Sequence, residues 1–549
     1  MPLCFFLLIL IIQQKLSLHD WRESVLHGSV IYGVYITIVT ETLSLFHALT
    51  ATWVLRVWLI TAVLLFFTVL KSRPPLPLCH ISRLKLRPNL AYHLSLSILF
   101  IVSVLGILSY VTPPNNSDSL VYHLSRIMHW QQNQSVAFYP TVILRQLHQP
   151  PWSEFAMLHV YFLGNNDYLF SFIQWSSMVG CLVVVSLLAA HFKATQLGQI
   201  SAAFFAVTVP MGVLQSVSTQ NDYVLSFWLT CFVYYGLTYK KTAKLMYLVG
   251  MAFSLGLALA TKGTAYIYAL PFLVWFYIPN RRPHHAIKYS GIFIALVLLL
   301  NMPHYIRNIN LYNHPLGPGQ EGQGNDYKYS NDIFTVSVML SNIMRNTVLH
   351  LGSTPAINRH IEHGITWSHQ YLGVSVNDPQ TTWTHTKFKL NVPLPHHDLA
   401  GNSIHLMLFF IMIIMSMLSQ RYYLSSEIKQ FLIVLSIAFL LFCLLLKWQP
   451  WHSRLHLPLF ILMTIPLGLM LQNMPKRIAN VLTVLFLCYS LPYLCLNISK
   501  PIISLSQGEN VFQRTYHESL LMPPYYLESV PFLKSMPCSE FGLILEESD

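Results

Sequence analysis

The sequence has few charged residues. Asp, Glu, Lys and Arg make up 10% of its 549 residues, whereas hydrophobic residues make up 54%. Soluble domains carry roughly 25% charged residues, so this shortage excludes an ordinary soluble chain and indicates a membrane protein. The net charge of +12 is not gathered into a basic stripe or a nucleic-acid-reading motif, and we therefore expect no nucleic-acid partner.

Cysteine and internal repeats are also scarce. Most of the 8 cysteines lie inside apolar runs, so the sequence predicts no disulfide framework. No repeat of fixed period and no low-complexity tract is visible. This absence disfavours a transporter built from paired repeats around a site at the middle of the bilayer.

Long apolar runs are abundant. A transmembrane helix needs about 20 apolar residues, and the sequence predicts spans at 25–46, 53–70, 90–110, 167–191, 199–217, 223–238, 246–260, 264–280, 289–307, 403–419, 429–446, 456–472 and 478–496. The run 2–12 is too short to assign, and it lacks the basic start and cleavage site of a signal peptide. We predict an all-α polytopic membrane protein with about 12 to 14 transmembrane helices.

Basic residues in the short loops predict the orientation of the chain. The positive-inside rule places these loops in the cytoplasm. The segments 111–166, 218–222, 308–402 and 447–455 and the tail 497–549 are then expected outside. The basic residues that carry this prediction are Lys71, Arg73, Arg83, Lys85, Arg87, Lys193, Lys240, Lys241, Lys244, Arg281, Arg282, Lys288, Arg421, Lys476 and Arg477.

The first outer segment, 111–166, contains a strongly polar stretch from Thr112 to Glu154. In a chain that is mostly apolar, ionisable groups gathered at one membrane face favour a functional site there. These groups are Asp118, Tyr122, His123, Arg126, His129, Arg145, His148 and Glu154.

The stretch is expected to begin with an amphipathic helix. Ser117 or Asp118 can cap a helix that starts near Ser119. On such a helix Asp118, Tyr122, Ser125 and His129 share one face, because their spacings are 4, 3 and 4. An equally simple interpretation makes Asp118 only an N-cap and the other side chains a solvated surface.

More polar groups lie at the outer ends of later spans. Asn221 and Asp222 occupy a short outer turn, Lys262 lies in a turn between two spans, and His452 and Arg454 follow a pair of tryptophans. Each could be an interfacial anchor. Lys262 and Arg454, however, lie on the side that is otherwise poor in basic residues, and they are natural counter-ions for a phosphate.

Taken in order, these motifs resemble those of polytopic GT-C glycosyltransferases, most closely the branch of protein mannosyltransferases and lipid A aminoarabinose transferases. The resemblance covers about residues 90–496, within a transmembrane domain of residues 1–496. Its motifs are Asp118 in the first outer loop, Pro150-Pro151 followed by Glu154, Asn221-Asp222, the stretch 256–263 with Leu270-Pro271 beyond it, and 454–458.

The resemblance implies an enzyme that moves a sugar from a polyprenyl-phosphate carrier to an acceptor outside the cytoplasm. Asp118 matches the family's catalytic acid and is expected to act as general base. Asp222 and Glu154 are expected to contact the acceptor or support the site, and Lys262 and Arg454 to contact the phosphate. Further substrate contacts are expected from Tyr122, His123, Arg126, Arg145, His148 and His452.

Two positions depart from the family pattern. Relatives often have Asp-Glu where this chain has Asp118-Ser119, and Lys-Pro-Pro where it has Gln149-Pro150-Pro151. The missing lysine leaves one phosphate contact to be supplied by His148, Arg145 or Lys262.

The expected partners are a polyprenyl-phosphate-linked sugar, membrane lipids, and a lipid, glycan or protein acceptor. We expect no cofactor and no metal, because side-chain cations can neutralise a leaving phosphate. The outer histidines match no zinc-binding spacing; they are His350, His360, His363, His369, His385, His396 and His397.

The expected location is a bacterial inner membrane, with the site facing the periplasm or exterior. Two other classes stay open: a polytopic lipid or solute transporter, and a non-catalytic membrane scaffold. A transporter should place its polar groups near the bilayer midplane rather than at one face. A scaffold would need no aligned acid and base groups.

Overall fold

The computed structural model describes residues 1–16, 18, 20–74, 89–277, 283–318, 328–504, 508–520 and 524–537. These residues form helices and connecting loops, and their only β pairing is two isolated bridges, Ser330 with Leu446 and Thr382 with Trp448. Helices suit a chain in lipid because each backbone N–H and C=O is satisfied within its own segment. The predicted all-α class is therefore confirmed.

The α-helices of the described residues are numbered in chain order. They are α1 Pro2–Lys15, α2 Trp21–Leu45, α3 Ala51–Ser72, α4 Leu90–Val111, α5 Ser125–Asn133, α6 Arg145–His148, α7 Trp152–Gly164, α8 Phe172–His191, α9 Gln196–Val207, α10 Pro210–Gln215, α11 Asp222–Thr242, α12 Leu245–Leu259, α13 Thr264–Tyr277, α14 Pro283–Tyr312, α15 Val336–Val348, α16 Pro355–Leu372, α17 Ser403–Leu418, α18 Ser426–Leu445, α19 His452–Leu455, α20 Leu457–Leu471, α21 Lys476–Cys495, α22 Tyr516–Ser519 and α23 Pro524–Ser535. A π-helix, Ser119–Leu124, directly precedes α5.

Seven helices of the described chain are long and apolar enough to cross a membrane. They are α2, α3, α4, α8, the part Tyr289–Tyr312 of α14, α18 and α21. Six shorter apolar helices accompany them: α1, α9, α12, α13, α17 and α20. The chain is thus a multi-pass membrane protein, and the predicted total of about 12 to 14 spans stays a prediction that requires most of the shorter helices to cross as well.

The predicted span 223–238 forms α11, the centre of the bundle. This helix packs against α8, α12, α13 and α20, and nearly all its side chains are buried. The packing is close: a Cβ at Gly236 would overlap the ring of Phe276 on α13. Because α11 faces other helices rather than lipid, it can carry polar and aromatic side chains, and it is less apolar than the seven spans.

Two predicted boundaries were wrong. The span 199–217 is interrupted at Thr208 and Val209, because Pro210 cannot continue α9 and instead begins α10. The span 167–191 starts later, at Phe172. The unassigned run 2–12 forms α1, which packs against α2 and α3. The end of the predicted span 264–280 lies outside the described residues.

The segments that are predicted to lie outside are folded rather than extended. In the segment 308–402, α15 and α16 pack on each other, and α15 also packs on α18. The fully buried Arg345 of α15 donates hydrogen bonds to Val376, Thr381 and Thr382, and its guanidinium lies 5.6 Å from the centre of the Trp448 ring. The hydrogen bonds lie within the segment 308–402, and the contact with Trp448 joins this segment to 447–455.

The predicted topology can be tested with the native thiol of Cys538, which lies outside the described residues. If the tail 497–549 is outside, an impermeant maleimide should label Cys538 in intact cells, because the reagent reaches only the outer face. Mass spectrometry of the labelled peptide is the measurement, and Cys538→Ser is the matched control. Labelling of Cys538 only after the membrane is opened would reverse the assigned orientation.

Candidate active site

Asp118 shares one arginine with a second carboxylate, Asp398. The Arg454 Nη2 atom lies 2.6 Å from Asp118 Oδ2, and Nη1 lies 2.8 Å from Asp398 Oδ1. The Gln220 amide nitrogen also joins the two carboxylates, at 3.2 Å from each. Segments far apart in sequence therefore meet around one guanidinium.

Asp118 owes its position to the turn before the π-helix. Its side chain makes no capping hydrogen bond among the described residues. Instead, Asn116 Oδ1 accepts the Ser119 N–H at 2.8 Å, which leaves the Asp118 carboxylate to face Arg454. The interpretation of Asp118 as only an N-cap is wrong. π-Helices are rare and are frequent at functional sites.

The π-helix also changes the predicted arrangement of the polar face. The spacing that placed Tyr122 and His129 together assumed a continuous α-helix, whereas a π-helix has a wider turn. Tyr122 instead lies 5.0 Å from the Arg145 guanidinium, measured to the ring centre. His129 stacks on Tyr139, with ring centres 4.0 Å apart. The two residues therefore have different neighbours.

Arg145 approaches Asp118 from the other side. Its Nη1 atom lies 3.7 Å from Asp118 Oδ1. Burial acts to raise the pKa of the Asp118 carboxyl, but the charge and hydrogen bond of Arg454, together with His123, outweigh it, and the pKa lies below its ordinary value. Burial and Arg454 oppose each other in the same way at Asp398, whose pKa is also lowered. Both carboxylates are therefore ionised at neutral pH.

A second ion pair links the predicted residues Asp222 and Lys262. The Lys262 Nζ atom lies 2.6 Å from Asp222 Oδ1. Asn221 holds the two segments together, because its side-chain amide donates to the Thr261 carbonyl at 3.0 Å. Burial lowers the pKa of Lys262, although Asp222 acts to raise it. The partner of Lys262 in this structure is thus a carboxylate.

A third ion pair, Arg126 with Glu154, is fully buried. Glu154 Oε1 lies 3.1 Å from Arg126 Nη1 and 2.8 Å from His123 Nδ1. Burial acts to raise the pKa of Glu154, but Arg126 and His123 bring it below its ordinary value.

Arg126 also fixes the chain between α5 and α7. Its guanidinium donates to the carbonyls of Arg145, Gln146, Leu147 and Gln149, at 3.1, 2.5, 3.3 and 2.8 Å. These bonds use its donors. Arg126 and Glu154 therefore hold the segment that carries Arg145 and His148.

The two remaining predicted residues, His148 and His452, are buried imidazoles. His148 Nε2 has no hydrogen-bond partner among the described residues, and burial with nearby Arg126 and Arg145 lowers the pKa of His148 to about 4. His452 Nδ1 lies 2.9 Å from Asn346 Oδ1, and burial lowers the pKa of His452 to about 3. Both rings are neutral at physiological pH.

Within the described chain, one group of side chains has the composition of a metal site. His396, His397 and Asp398 each offer one ligand atom, and these atoms lie within 4.8 Å of one another. Asp398 already binds Arg454 through one oxygen, and its Oδ2 lies 3.2 Å from His397 Nε2. Arg454 supplies a positive charge at this carboxylate, and the expectation that no metal is required stays a prediction.

Two residues of the group around Asp118 and Arg454 were not predicted from the sequence, namely Gln220 and Asp398. Gln220 directly precedes the predicted Asn221-Asp222 pair, so its neighbourhood was a usable signal. Asp398 follows two histidines in a long outer segment that contains several other acidic residues. No periodicity or motif distinguished it.

Comparison with known proteins supports the predicted resemblance. The family model of dolichyl-phosphate-mannose-protein mannosyltransferase matches residues 148–306. This region includes Glu154, Asp222 and Lys262. The resemblance to polytopic GT-C glycosyltransferases is therefore confirmed. No curated protein matches the chain.

Two crystal structures of ArnT from Cupriavidus metallidurans are similar to this chain. The structure bound to undecaprenyl phosphate is 12% identical, with a TM-score of 0.49, and the match covers 71% of this chain and 62% of ArnT. The apo structure is 13% identical, with a TM-score of 0.35, and the match covers 72% of this chain and 76% of ArnT. In the first comparison, the chain spans about three fifths of the ArnT length.

Proposed function

We propose that the protein is a glycosyltransferase that moves a sugar from a polyprenyl-phosphate carrier to a hydroxyl of a lipid, glycan or protein acceptor. The observation that carries this proposal is that Arg454 binds both Asp118 and Asp398. The match of residues 148–306 to the mannosyltransferase family supports it. Asp118 would be the base and Arg454 a phosphate contact. The reaction would take place at the outer face of a bacterial inner membrane.

The proposed transfer needs one base and a set of cations. The acceptor oxygen attacks C1 of the sugar, the bond from C1 to the phosphate oxygen breaks, and the phosphate leaves with the electron pair. Asp118 takes the proton of the acceptor hydroxyl. Arg454, with Lys262 and Arg145 nearby, stabilises the negative charge that develops on the phosphate.

The charges of the cluster suggest how the donor enters. Asp118, Asp222 and Asp398 face the cations Arg145, Lys262 and Arg454. The three negative and three positive charges balance. A sugar phosphodiester adds one negative charge, so it must displace carboxylates from the cations that they bind. When the phosphate binds Arg454, Asp118 loses the interaction that lowers its pKa and becomes a stronger base.

The positions of the other residues give them different parts in this proposal. Asp222 is placed to release Lys262 towards the phosphate, and its Oδ2 atom makes no hydrogen bond within the described residues. Glu154 acts through Arg126, which holds the segment of Arg145 and Gln149. Arg145 is the best replacement for the lysine that relatives carry at position 149, because it already lies near Asp118.

The function is tested by comparing cells that express the protein, its Asp118→Asn variant or neither. Mass spectrometry of lipid-linked sugars and cell-envelope glycans should show a sugar missing from its acceptor, and polyprenyl-phosphate sugar accumulated, in the last two. Identical glycans in all three would reject transfer. If cells with the Asp118→Asn variant have wild-type glycans and cells without the protein do not, the result would support a non-catalytic role, such as transport.

A further inference from the structure

The chain after the last span returns to the first outer loop. The Asn115 side-chain amide donates to the carbonyls of Ser499 and Ser519, at 2.9 Å each. The Tyr516 hydroxyl donates to Asp167 Oδ2 at 2.5 Å. We call the described residues 497–504 and 508–519 the tail segment. Asn115 lies just before Asp118, so the tail segment is attached next to the proposed base.

The tail residue Ser499 contacts the carboxylate cluster through a histidine. Ser499 Oγ lies 3.1 Å from His397 Nδ1, and His397 Nε2 lies 3.2 Å from Asp398 Oδ2. Asp398 in turn binds Arg454. Since one ring nitrogen meets the serine and the other meets the carboxylate, Ser499 fixes the orientation of the imidazole beside Asp398.

The next tail residue, Lys500, contacts the loop that carries Gln220. Lys500 Nζ donates to the Val217 carbonyl at 2.6 Å. The lysine is 3% exposed, and burial lowers its pKa to about 7. Burying an amine is costly, and lysines are rarely buried without a specific partner. The partner here is the backbone of the loop whose Gln220 joins Asp118 and Asp398.

We propose that Ser499 and Lys500 are positioning residues of the active site. Ser499 aligns Asp398 through His397, and Lys500 holds the loop of Gln220, so that both set the geometry in which Arg454 is shared. This inference rests on the proposed glycosyl transfer. Under this inference, the chain after the last transmembrane helix supports the reaction. None of the described side chains of that part of the chain belongs to the predicted site.

The proposal is tested with Ser499→Ala and Lys500→Met in the full-length purified protein. Losing one hydrogen bond should raise the apparent donor KM about 3- to 10-fold, with little change in the thermal midpoint. Ser499→Thr, which keeps the hydroxyl, should restore the donor KM. Lys534→Met, an exposed lysine farther along the chain, is the matched control.

A double-mutant cycle separates positioning from general stabilisation. Ser499→Ala should add no further loss in an Asp398→Asn background, because the serine acts through that carboxylate. Additive losses, or a lower thermal midpoint with an unchanged donor KM, would overturn the proposal. Failure of the proposed transfer itself would appear separately, as wild-type protein that turns over no polyprenyl-phosphate sugar. Binding of undecaprenyl phosphate to the same variants would then measure the positioning effect directly.

Discussion

Asp118→Asn should reduce transfer by about 2 to 4 powers of ten, the usual contribution of a general base. The amide keeps the size of the side chain and one oxygen, but it cannot take the proton of an acceptor hydroxyl. Turnover of a polyprenyl-phosphate sugar by purified protein, at saturating donor and acceptor, is the measurement. Near-normal turnover would mean that another carboxylate is the base, and Asp222 is the next candidate.

The matched control for this substitution is Asp378→Asn. Asp378 lies in the segment 308–402, and its Oδ1 accepts the Gln380 N–H at 2.8 Å. An asparagine oxygen can accept the same bond, so the control changes one carboxylate to an amide and keeps this hydrogen bond, losing only the charge that acts on Arg345. We expect wild-type turnover from it, and comparable expression of both variants.

Arg454→Lys should weaken donor binding about 10- to 100-fold, in line with about 1.5 to 3 kcal/mol for a hydrogen bond to a charged group. Lysine keeps the positive charge, but one ammonium cannot reproduce the planar fork that spans two acceptors. The apparent donor affinity is the measurement. Lys262→Met should act in the same direction. Unchanged donor affinity in both variants would leave these cations as interfacial anchors.

Arg454→Met adds a test that depends on pH. Without the cation, Asp398 loses its arginine and Asp118 is left with the more distant Arg145, which should cost about 3 to 5 kcal/mol of folding stability at neutral pH. In the wild type Arg454 lowers both pKa values, so its stabilising effect is present at neutral pH and disappears as acid protonates the carboxylates. The thermal midpoints of variant and wild type should therefore converge as the pH falls. A gap that is constant with pH would contradict this account.

Sequence predicted the spans well because lipid leaves the backbone little choice. The runs 90–110 and 403–419 became α4 and α17 almost residue for residue. Run length could not place the break at Pro210, since the apolar pattern continues across it. Run length also could not show that α11 is surrounded by protein. Burial against other helices and burial in lipid favour similar side chains.

The site was predictable only in part. Asp118, Lys262 and Arg454 stand out because a charge at the end of an apolar run is visible in one dimension. Asp398 was not predictable, since its role depends on its contact with Arg454. That contact exists only in the folded chain. The π-helix after Asp118 was also missed, because amino-acid spacing favours the ordinary helical period and gives no signal for a wider turn.

The sharing of Arg454 between two carboxylates has a kinetic consequence under the proposed exchange. An acceptor that arrives first meets a base whose proton affinity is suppressed, so its hydroxyl keeps its proton until the donor binds. The lipid-linked sugar then activates the base for its own transfer, whichever of the two substrates binds first. Without the donor, an acceptor hydroxyl faces the same weak base, so the enzyme at rest stays inactive as a base until the carrier has bound.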